Sequence, residues 1–224
     1  MSDVALVCGG GGALGTALVA AFLARGDRVV AADRHPGGHD DDPDGIRRVA
    51  VDLTSPDEIE ELWARLEEVS ERPRWVVNAV GGFKAGTVAA SEPDEFRFVE
   101  DLNLGTAWWS CRAAARRLVE GDAIVNISSR SALVGGSGAV AYSVAKAGVV
   151  KLTEVLSMEL AASKVRVNAV LPSVIDTPAN RATMSAERVA KAVPPEQIAA
   201  VVAFLCSDAA AAVTGAVLPV YGWA

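Results

Sequence analysis

The pentapeptide Tyr142-Ser143-Val144-Ala145-Lys146 is the part of this sequence to which chemistry is most readily assigned. In a helix, residues i and i+4 lie on one face, so Tyr142 and Lys146 would be neighbours. An ammonium near a phenol favours the phenolate and lowers the phenol's pKa from about 10. A tyrosine tuned in this way can give a proton to a carbonyl oxygen while a hydride reaches the carbon. Because Tyr-x-x-x-Lys is frequent by chance, an exposed tyrosine and an exposed lysine are the alternative.

A glycine-rich turn forms a second candidate site near the start of the chain. The turn Gly9-Gly10-Gly11-Gly12-Ala13-Leu14-Gly15 separates a short apolar run from a segment of helical composition. Small residues let the backbone approach a dinucleotide pyrophosphate, whose negative charge would face the N–H groups of the helix N-terminus. An ordinary tight turn is the alternative. Its position in the first strand–helix–strand unit favours a cofactor, contacted by Gly9, Gly12, Ala13, Leu14 and Gly15.

The residues after the second and third predicted strands bear on which cofactor binds. Asp33 could accept hydrogen bonds from both ribose hydroxyls of the adenosine and would repel a 2′-phosphate, which favours NAD(H). Arg34 keeps NADP(H) possible, because its guanidinium could hold that phosphate. Asp52, with Leu53 beside it, could bond the adenine amino group. A capping role for Asp52 near the helix that begins at Ser55 is an equally good interpretation.

A regular alternation of strands and helices positions these residues. Helices are predicted at 13–25, 55–71, 92–120, 141–163 and 195–207. Strands are predicted at 4–8, 28–32, 47–51, 75–78, 123–128, 165–171 and 217–220. Because the strands are apolar on both faces, they fit a parallel sheet covered on both sides. We therefore predict an α/β fold of the doubly wound, Rossmann type, as a single domain over residues 1–224 with a substrate loop at about 172–193.

Composition excludes several other classes of function. A net charge of −7 over 224 residues disfavours nucleic acid as a partner, since an acidic surface repels phosphates. The three cysteines are far apart in the sequence and form no CxxC pair, which predicts a reducing compartment and buried thiols. Neither an export signal nor a membrane-spanning run is present, so we expect a cytoplasmic protein. No metal is expected, because His35 and His39 lie with three aspartates, Asp40 to Asp42, in a Pro/Gly-rich loop that reads as solvated surface.

The residues that could carry out chemistry belong to a set of motifs that resembles the short-chain dehydrogenase/reductase family over nearly the whole chain. The glycine turn and the Tyr142–Lys146 pair belong to this set. Further matches are Asn78-Ala79-Val80-Gly81, Ile127-Ser128-Ser129, Asn103 within Leu102-Asn103-Leu104-Gly105, and Asn168-Ala169-Val170-Leu171-Pro172 with Thr177. Ser129 lies thirteen residues before Tyr142, the spacing that the family uses. The resemblance implies a Rossmann fold, a nicotinamide cofactor and hydride transfer.

The resemblance also implies a role for each matching residue. Tyr142 would be the general acid in reduction, and Lys146 would tune Tyr142 and bond the nicotinamide ribose. Ser129 would polarise or orient the substrate oxygen, with Ser128 and Ser131 as rivals that the spacing disfavours. Asn103 would extend a proton relay through a held water. The remaining implied contacts are with the cofactor, from Asn78, Ala79, Val80, Gly81, Pro172, Ile175 and Thr177.

Two segments resemble one branch of the family, the dihydropteridine reductases. They are Val80 to Gly86 and Leu171 to Arg181, and the Gly12-Ala13-Leu14-Gly15 turn is similar too. That branch tends to lack the serine that this chain keeps at Ser129, and a retained serine suits carbonyl reduction. The leading hypothesis is therefore reduction of a small carbonyl or imine. The alternatives are dihydropterin reduction, 3-oxoacyl thioester reduction or secondary-alcohol oxidation, and a non-catalytic cofactor-binding protein.

Several tryptophans and one phenylalanine have more than one interpretation. Trp108 and Trp109 lie on the long predicted helix, which in family members commonly pairs across subunits. This favours a homodimer or homotetramer, and plain core packing is the alternative. Phe83, Trp75 and Trp223 are candidates to line a pocket for a flat ring in a small-molecule substrate.

Overall fold

Seven parallel strands form one sheet in the order β3-β2-β1-β4-β5-β6-β7. The computed structural model describes residues 2–37 and 42–223. The loop residues His39, Asp40 and Asp41 therefore lie outside the described part of the chain. The strands are Val4–Cys8 (β1), Arg28–Asp33 (β2), Ile46–Ala50 (β3), Trp75–Asn78 (β4), Ala123–Ile127 (β5), Arg166–Pro172 (β6) and Val217–Val220 (β7).

Helices cover both faces of this sheet. They are Ala13–Arg25 (α1), Pro56–Glu68 (α2), Pro93–Glu100 (α3), Thr106–Ala115 (α4), Val140–Glu159 (α5), Pro178–Thr183 (α6), Ala186–Ala190 (α7) and Pro195–Leu205 (α8). One core cluster joins the sheet to α2, α4 and the end of α5, including Trp63 and Cys111. A second cluster joins the other face to α1 and α8, including Phe22 and Ile198. The predicted doubly wound α/β fold is confirmed.

The strand order reverses at β1, which has β2 on one side and β4 on the other. In sheets of this kind, the crevice at the carboxyl ends of the strands at such a reversal is the usual ligand site. The glycine turn follows β1 at this edge. A Cβ on Gly15 would lie 2.0 Å from the carbonyl oxygen of Gly9, so only glycine lets α1 start this close to the strand. The predicted turn therefore lies at the ligand-binding edge of the sheet.

The prediction of a single long helix over 92–120 is wrong in two respects. A π-helix over Asp101–Gly105 interrupts it between α3 and α4, and α4 ends at Ala115. After that residue the chain turns toward β5, and the N–H groups of Arg117 and Leu118 both donate to the carbonyl of Ala114. The composition of residues 116–120 suits a helix, but the chain turns there instead. Asp122 stabilises this turn by accepting from the N–H of Val119 at 2.8 Å, and the helix therefore ends at Ala115.

Further observations concern the substrate loop, the three cysteines and Trp75. The substrate loop carries two short helices, α6 and α7. All three cysteines are free and buried, as predicted. Trp75 is only 2 % exposed within the core, so its prediction as a pocket-lining residue is wrong.

Membrane-spanning helices and metal-binding clusters are both absent from the part of the chain that the structure describes. Across 2–37 and 42–223, no helix combines the length and the apolar character needed to cross a membrane. Within the same residues, no group of three or more His, Cys, Asp or Glu side chains is arranged to hold a metal ion.

Candidate active site

Tyr142 and Lys146 lie one turn apart near the start of α5, as the spacing predicted. The Lys146 side chain is buried, and its Nζ donates to the carbonyl of Ile127, the last residue of β5, at 3.0 Å. Its Nζ lies 5.9 Å from the centroid of the Tyr142 ring. The ammonium is therefore fixed between the sheet and the tyrosine ring.

The pKa values of this pair depart from the expectation. Burial lowers the pKa of Lys146 to about 8. Burial also raises the pKa of Tyr142 above its usual value, and a hydrogen bond with the Ser129 side chain acts in the opposite direction. The predicted lowering of the Tyr142 pKa is not found, because the cost of burying a phenolate outweighs the interactions that favour it. In the protein alone, Tyr142 is a protonated phenol at neutral pH.

The three candidate serines have distinct positions. Ser128 is buried, and its Oγ donates to the carbonyl of Lys146 at 2.7 Å, so it fastens α5 to the end of β5. Ser129 faces Tyr142. The Oγ of Ser129 accepts from the N–H of Ser131 at 3.3 Å and from the Ser131 hydroxyl at 3.0 Å. Because both contacts donate to Ser129, its own hydroxyl proton is directed elsewhere, and Ser131 orients it.

Asn103 is buried in the π-helix and holds the segment after β4. Its Nδ2 donates to the carbonyl oxygens of Gly82 and Val99, each at 2.9 Å, and its Oδ1 accepts from the N–H of Gly82 at 3.2 Å. A Cβ on Gly81 would lie 2.9 Å from Oδ1 of Asn103 and 3.0 Å from Nζ of Lys146. The glycine therefore lets the backbone after β4 pass close to both the amide of Asn103 and the ammonium of Lys146.

At the other end of the crevice, Asp33 contacts the glycine turn directly. Its Oδ2 accepts from the N–H of Gly11 at 3.2 Å, and its Oδ1 accepts from the N–H of His35 at 3.0 Å. A Cβ on Gly11 would lie 2.5 Å from the carbonyl oxygen of His35. Gly11 was not among the predicted site residues. In the sequence, the run of four glycines is the only signal for Gly11, and a run of identical residues does not indicate which glycine contacts Asp33.

Arg34 and Asp52 form a pair with each other. The Nη2 of Arg34 lies 2.9 Å from both carboxylate oxygens of Asp52. Asp52 also accepts from the hydroxyl and the N–H of Thr54, and together these contacts lower its pKa to about 2. The N-cap of α2 is Ser55, whose Oγ accepts from the N–H of Glu58 at 3.3 Å. Asp52 therefore shapes the turn before α2 and does not cap the helix, while the neighbouring Leu53 is buried.

The Asn78 side chain points into the protein interior rather than into the crevice. Its Nδ2 donates to Oδ1 of Asn126 at 2.8 Å, and Nδ2 of Asn126 donates to the hydroxyl of Thr153 at 2.9 Å. Any contact of Asn78 with a cofactor would thus come from its main chain. The following residues stay at the crevice, because the N–H of Ala79 donates to the carbonyl of Cys8 at 2.9 Å. A Cβ on Gly9 would lie 2.9 Å from the N of Val80.

The residues after β6 complete the crevice. Pro172 is the last residue of β6, and Ile175 forms a bridge with Val193. Thr177 is the N-cap of α6, where its Oγ1 accepts from the N–H of Asn180 at 3.2 Å. This bond uses an oxygen lone pair, so the hydroxyl proton of Thr177 stays available to a ligand. The structure thus brings the predicted residues to one edge of the sheet, apart from the side chain of Asn78.

Comparison with known proteins gives consistent matches along the chain. A family model described as enoyl-(acyl carrier protein) reductase matches residues 11–222. A cis-4-hydroxycyclohexanecarboxylate dehydrogenase of Sinomonas cyclohexanicum is 35 % identical, over 98 % of this chain and 95 % of its own length. An uncharacterized short-chain type dehydrogenase/reductase of Sinorhizobium fredii is 32 % identical over 98 % of this chain, which spans only 43 % of that protein.

A solved structure extends the similarity to three dimensions. The 3-ketoacyl-(acyl-carrier-protein) reductase of Brucella melitensis, complexed with NADH, has a TM-score of 0.87 and 27 % identity. The alignment covers 98 % of this chain and 97 % of that one.

The buried Lys146 predicts a pH dependence of stability. Its pKa is about 8 in the folded protein and near 10.5 when unperturbed. Between these values the unfolded chain binds the additional proton, so the free energy of unfolding should rise with pH. We expect the stability of the wild type relative to Lys146→Met to rise by on the order of 2 to 3 kcal/mol from pH 8 to pH 10.5, measured by urea unfolding. Lys164→Met, at an exposed lysine, should show no such trend, and a flat difference for Lys146→Met would contradict the burial argument.

Proposed function

The chain belongs to the short-chain dehydrogenase/reductase family, and we propose that it transfers a hydride from NADH to a small carbonyl or imine, with Tyr142 as general acid. Ser129, Tyr142 and Lys146 would be the catalytic side chains. The observation that carries the proposal is their convergence: Ser129 faces Tyr142, and the buried Lys146 lies one helical turn away, beside the same ring. A bound nicotinamide would supply the hydride.

The residues present fit a dinucleotide at the carboxyl edge of the sheet. Gly11, Gly12 and Gly81 are exposed at this edge and carry no side chain, so the crevice is lined by exposed backbone. The N-terminus of α1 directs its N–H groups toward this edge, where a pyrophosphate would be stabilised. Residues proposed to hold the cofactor are Gly9, Gly12, Ala13, Leu14, Gly15, Asp33, Asp52, Leu53, Ala79, Val80, Gly81, Tyr142, Lys146, Pro172, Ile175 and Thr177, with Asn78 through its main chain.

Proton transfer would follow from the states of these side chains. The raised pKa of Tyr142 keeps its phenol protonated, which is the form that an acid must have when reduction begins. The hydroxyl of Ser129, which Ser131 orients and which faces Tyr142, would bond the substrate oxygen and hold it near the phenol. Oδ1 of Asn103 and Nζ of Lys146 both lie beside Gly81, and a water bonded to either group would return a proton toward Tyr142. Asn103 would thus act in the relay through its one uncommitted lone pair.

Asp33 and Arg34 support NAD(H) rather than NADP(H). The Asp33 carboxylate lies against the glycine turn, where it would accept from ribose hydroxyls and repel a 2′-phosphate. Arg34, the residue that could hold such a phosphate, is paired through its guanidinium with Asp52. Its positive charge is therefore largely balanced within the protein.

Oxidation of a secondary alcohol is the second candidate. It is the same chemistry in reverse, and the Sinomonas relative is by its name a dehydrogenase of a hydroxylated ring. The retained Ser129 supports either direction on a carbonyl–alcohol pair over dihydropterin reduction. The intact Tyr142, Lys146 and Ser129 argue against a protein that only binds the cofactor. The buried free thiols support a reducing compartment, and we place the protein in the cytoplasm.

We also propose that two copies associate through α4 and α5. A groove of about 550 Å³ lies between these helices, lined by apolar side chains such as Leu104, Leu152 and Val155 with charged residues around them. Trp108 is 50 % exposed at this groove, whereas Trp109 packs partly against the core. A half-exposed tryptophan beside an apolar groove is typical of an interface, and a second copy would present the same helices to it.

Replacing Tyr142 by phenylalanine tests the proposed acid. We expect Tyr142→Phe to lower turnover of ketones at least a hundredfold, because the proton donor is lost while the ring remains. NADH binding, followed by the change in cofactor fluorescence, should be retained. Tyr221→Phe is a matched control, since Tyr221 is the only other tyrosine and should keep activity. Undiminished turnover in Tyr142→Phe would remove Tyr142 from the mechanism.

Cofactor preference should respond to the charge at Asp33. We expect the wild type to favour NADH, and Asp33→Asn to reduce the ratio of kcat/KM for NADH over NADPH by about ten- to a hundredfold. Asp44→Asn removes the same charge at the opposite edge of the sheet, just before β3, and should leave the ratio unchanged. A wild type that prefers NADPH would contradict the proposed role of Asp33.

The proposed interface predicts a change in mass on substitution of Trp108. Placing a carboxylate at the apolar groove should prevent association, so Trp108→Glu should sediment as a smaller species than the wild type in analytical ultracentrifugation. Phe204→Glu introduces the same charge at an exposed residue of α8, on the other face of the sheet, and should sediment like the wild type. A smaller species in Phe204→Glu as well would indicate an interface formed elsewhere. A wild type that is a monomer at all concentrations would contradict the interface.

A further inference from the structure

Phe83 is exposed although it touches the proposed general acid. Its ring centroid lies 5.4 Å from that of Tyr142 at an interplanar angle of 71°, an edge-to-face contact. The side chain is nevertheless 67 % exposed. A single exposed aromatic residue is unremarkable on a protein surface. One that meets a catalytic tyrosine in a defined geometry offers an aromatic surface directly beside the reacting group.

The backbone that carries Phe83 is fixed on both sides. Gly82, which precedes it, is held by hydrogen bonds in both directions to the side chain of Asn103. The N–H of Gly86 donates to the carbonyl of Gly138 at 2.9 Å, just before α5 begins. Lys84, which follows Phe83, is paired with Glu95 of α3. The ring is therefore held in place in advance, so a ligand that contacts it loses little further conformational entropy in the protein.

The segment that follows Ser129, the residue that faces Tyr142, is largely apolar. Leu133 and Val134 are about half exposed in the loop between Ser129 and α5. The only charged residue between Ser129 and Tyr142 is Arg130, and its guanidinium lies over the Tyr221 ring at 5.2 Å. Beside Tyr142, the exposed ring of Phe83 is thus the surface available to a ligand, while the nearby charges of Lys84 and Arg130 are already in contact with Glu95 and Tyr221. A flat, uncharged group matches this surface better than a carboxylate or a phosphate does.

We propose that Phe83 determines specificity by contacting a planar, conjugated ring next to the carbonyl or imine carbon of the substrate. The inference rests on the proposed function and narrows its substrate class to aryl or otherwise conjugated cyclic ketones and imines. Ring–ring contact of this kind favours an aromatic ligand over a saturated one of the same size by about three- to tenfold. Phe83 would also orient the ring relative to Tyr142, because the two aromatic side chains already contact each other.

A matched pair of ketones tests this specificity. Acetophenone and cyclohexyl methyl ketone share one carbon skeleton and differ in the saturation of the ring. With NADH, the wild type should show a kcat/KM for acetophenone at least threefold above that for the saturated ketone. Phe83→Leu, which keeps apolar volume but removes the aromatic ring, should abolish this preference by lowering the acetophenone value. Phe98→Leu, at an exposed phenylalanine of α3, should keep it.

An equal loss of activity on both ketones in Phe83→Leu would overturn the inference, because it would mean that Phe83 only positions Tyr142. A shifted pH profile of kcat would accompany that outcome. A wild type that reduces both ketones with equal kcat/KM would overturn it too.

A binding measurement separates this inference from the proposed function. Tyr142→Phe keeps the ring that Phe83 contacts but should not turn over, so its complex with NADH can be probed with acetophenone by saturation-transfer NMR. The inference is supported if signal transfer to the phenyl protons is lost when Phe83→Leu is added to Tyr142→Phe and is kept when Phe98→Leu is added instead. This holds even if the wild type reduces neither ketone. In that case only the proposed reaction fails. No transfer to the phenyl protons would overturn the specificity role of Phe83.

Discussion

The buried ammonium of Lys146 is the constraint around which this protein is arranged. Removing a cation from water is costly unless polar groups replace its hydration. Here the carbonyl of Ile127 at the end of β5 replaces part of that hydration, since Nζ of Lys146 donates to it at 3.0 Å. The carbonyl of Lys146 itself accepts from Ser128. Through these bonds, the start of α5 is locked to the carboxyl edge of the sheet, and Tyr142 is placed one turn away.

The same region is supported from within the sheet by polar side chains. Asn78 of β4, Asn126 of β5 and Thr153 of α5 form a continuous buried chain of hydrogen bonds. Such groups are costly when unpaired, so the chain specifies how the two strands and the helix fit together. The strand ends that carry the crevice are thereby held at fixed positions. The interior asparagines serve the site by supporting it, without touching it through their side chains.

How far the sequence predicts this molecule depends on whether the signal is local. Apolar strands, the glycine turn and the Tyr142–Lys146 spacing follow from backbone and helix geometry over a few residues, and all are found as predicted. The inward direction of Asn78 and the pairing of Arg34 with Asp52 depend on neighbours far along the chain, which no local pattern reveals. The raised pKa of Tyr142 belongs to the same class, because it is set by burial. Gly11 was hidden within a run of identical residues.

The π-helix over Asp101–Gly105 constrains the number of residues between α3 and α4. A π-turn accommodates one more residue than an α-turn, so this region contains one residue more than a continuous α-helix over the same length would. Deleting that residue would restore ordinary helix geometry locally. Because the wider π-turn covers about the same rotation with one residue more than an α-turn, α3 and α4 would keep their mutual orientation, but the residues within the turn would change position. Asn103 would then lose Gly82 or Val99, so substitutions here are tolerable in ways that insertions and deletions are not.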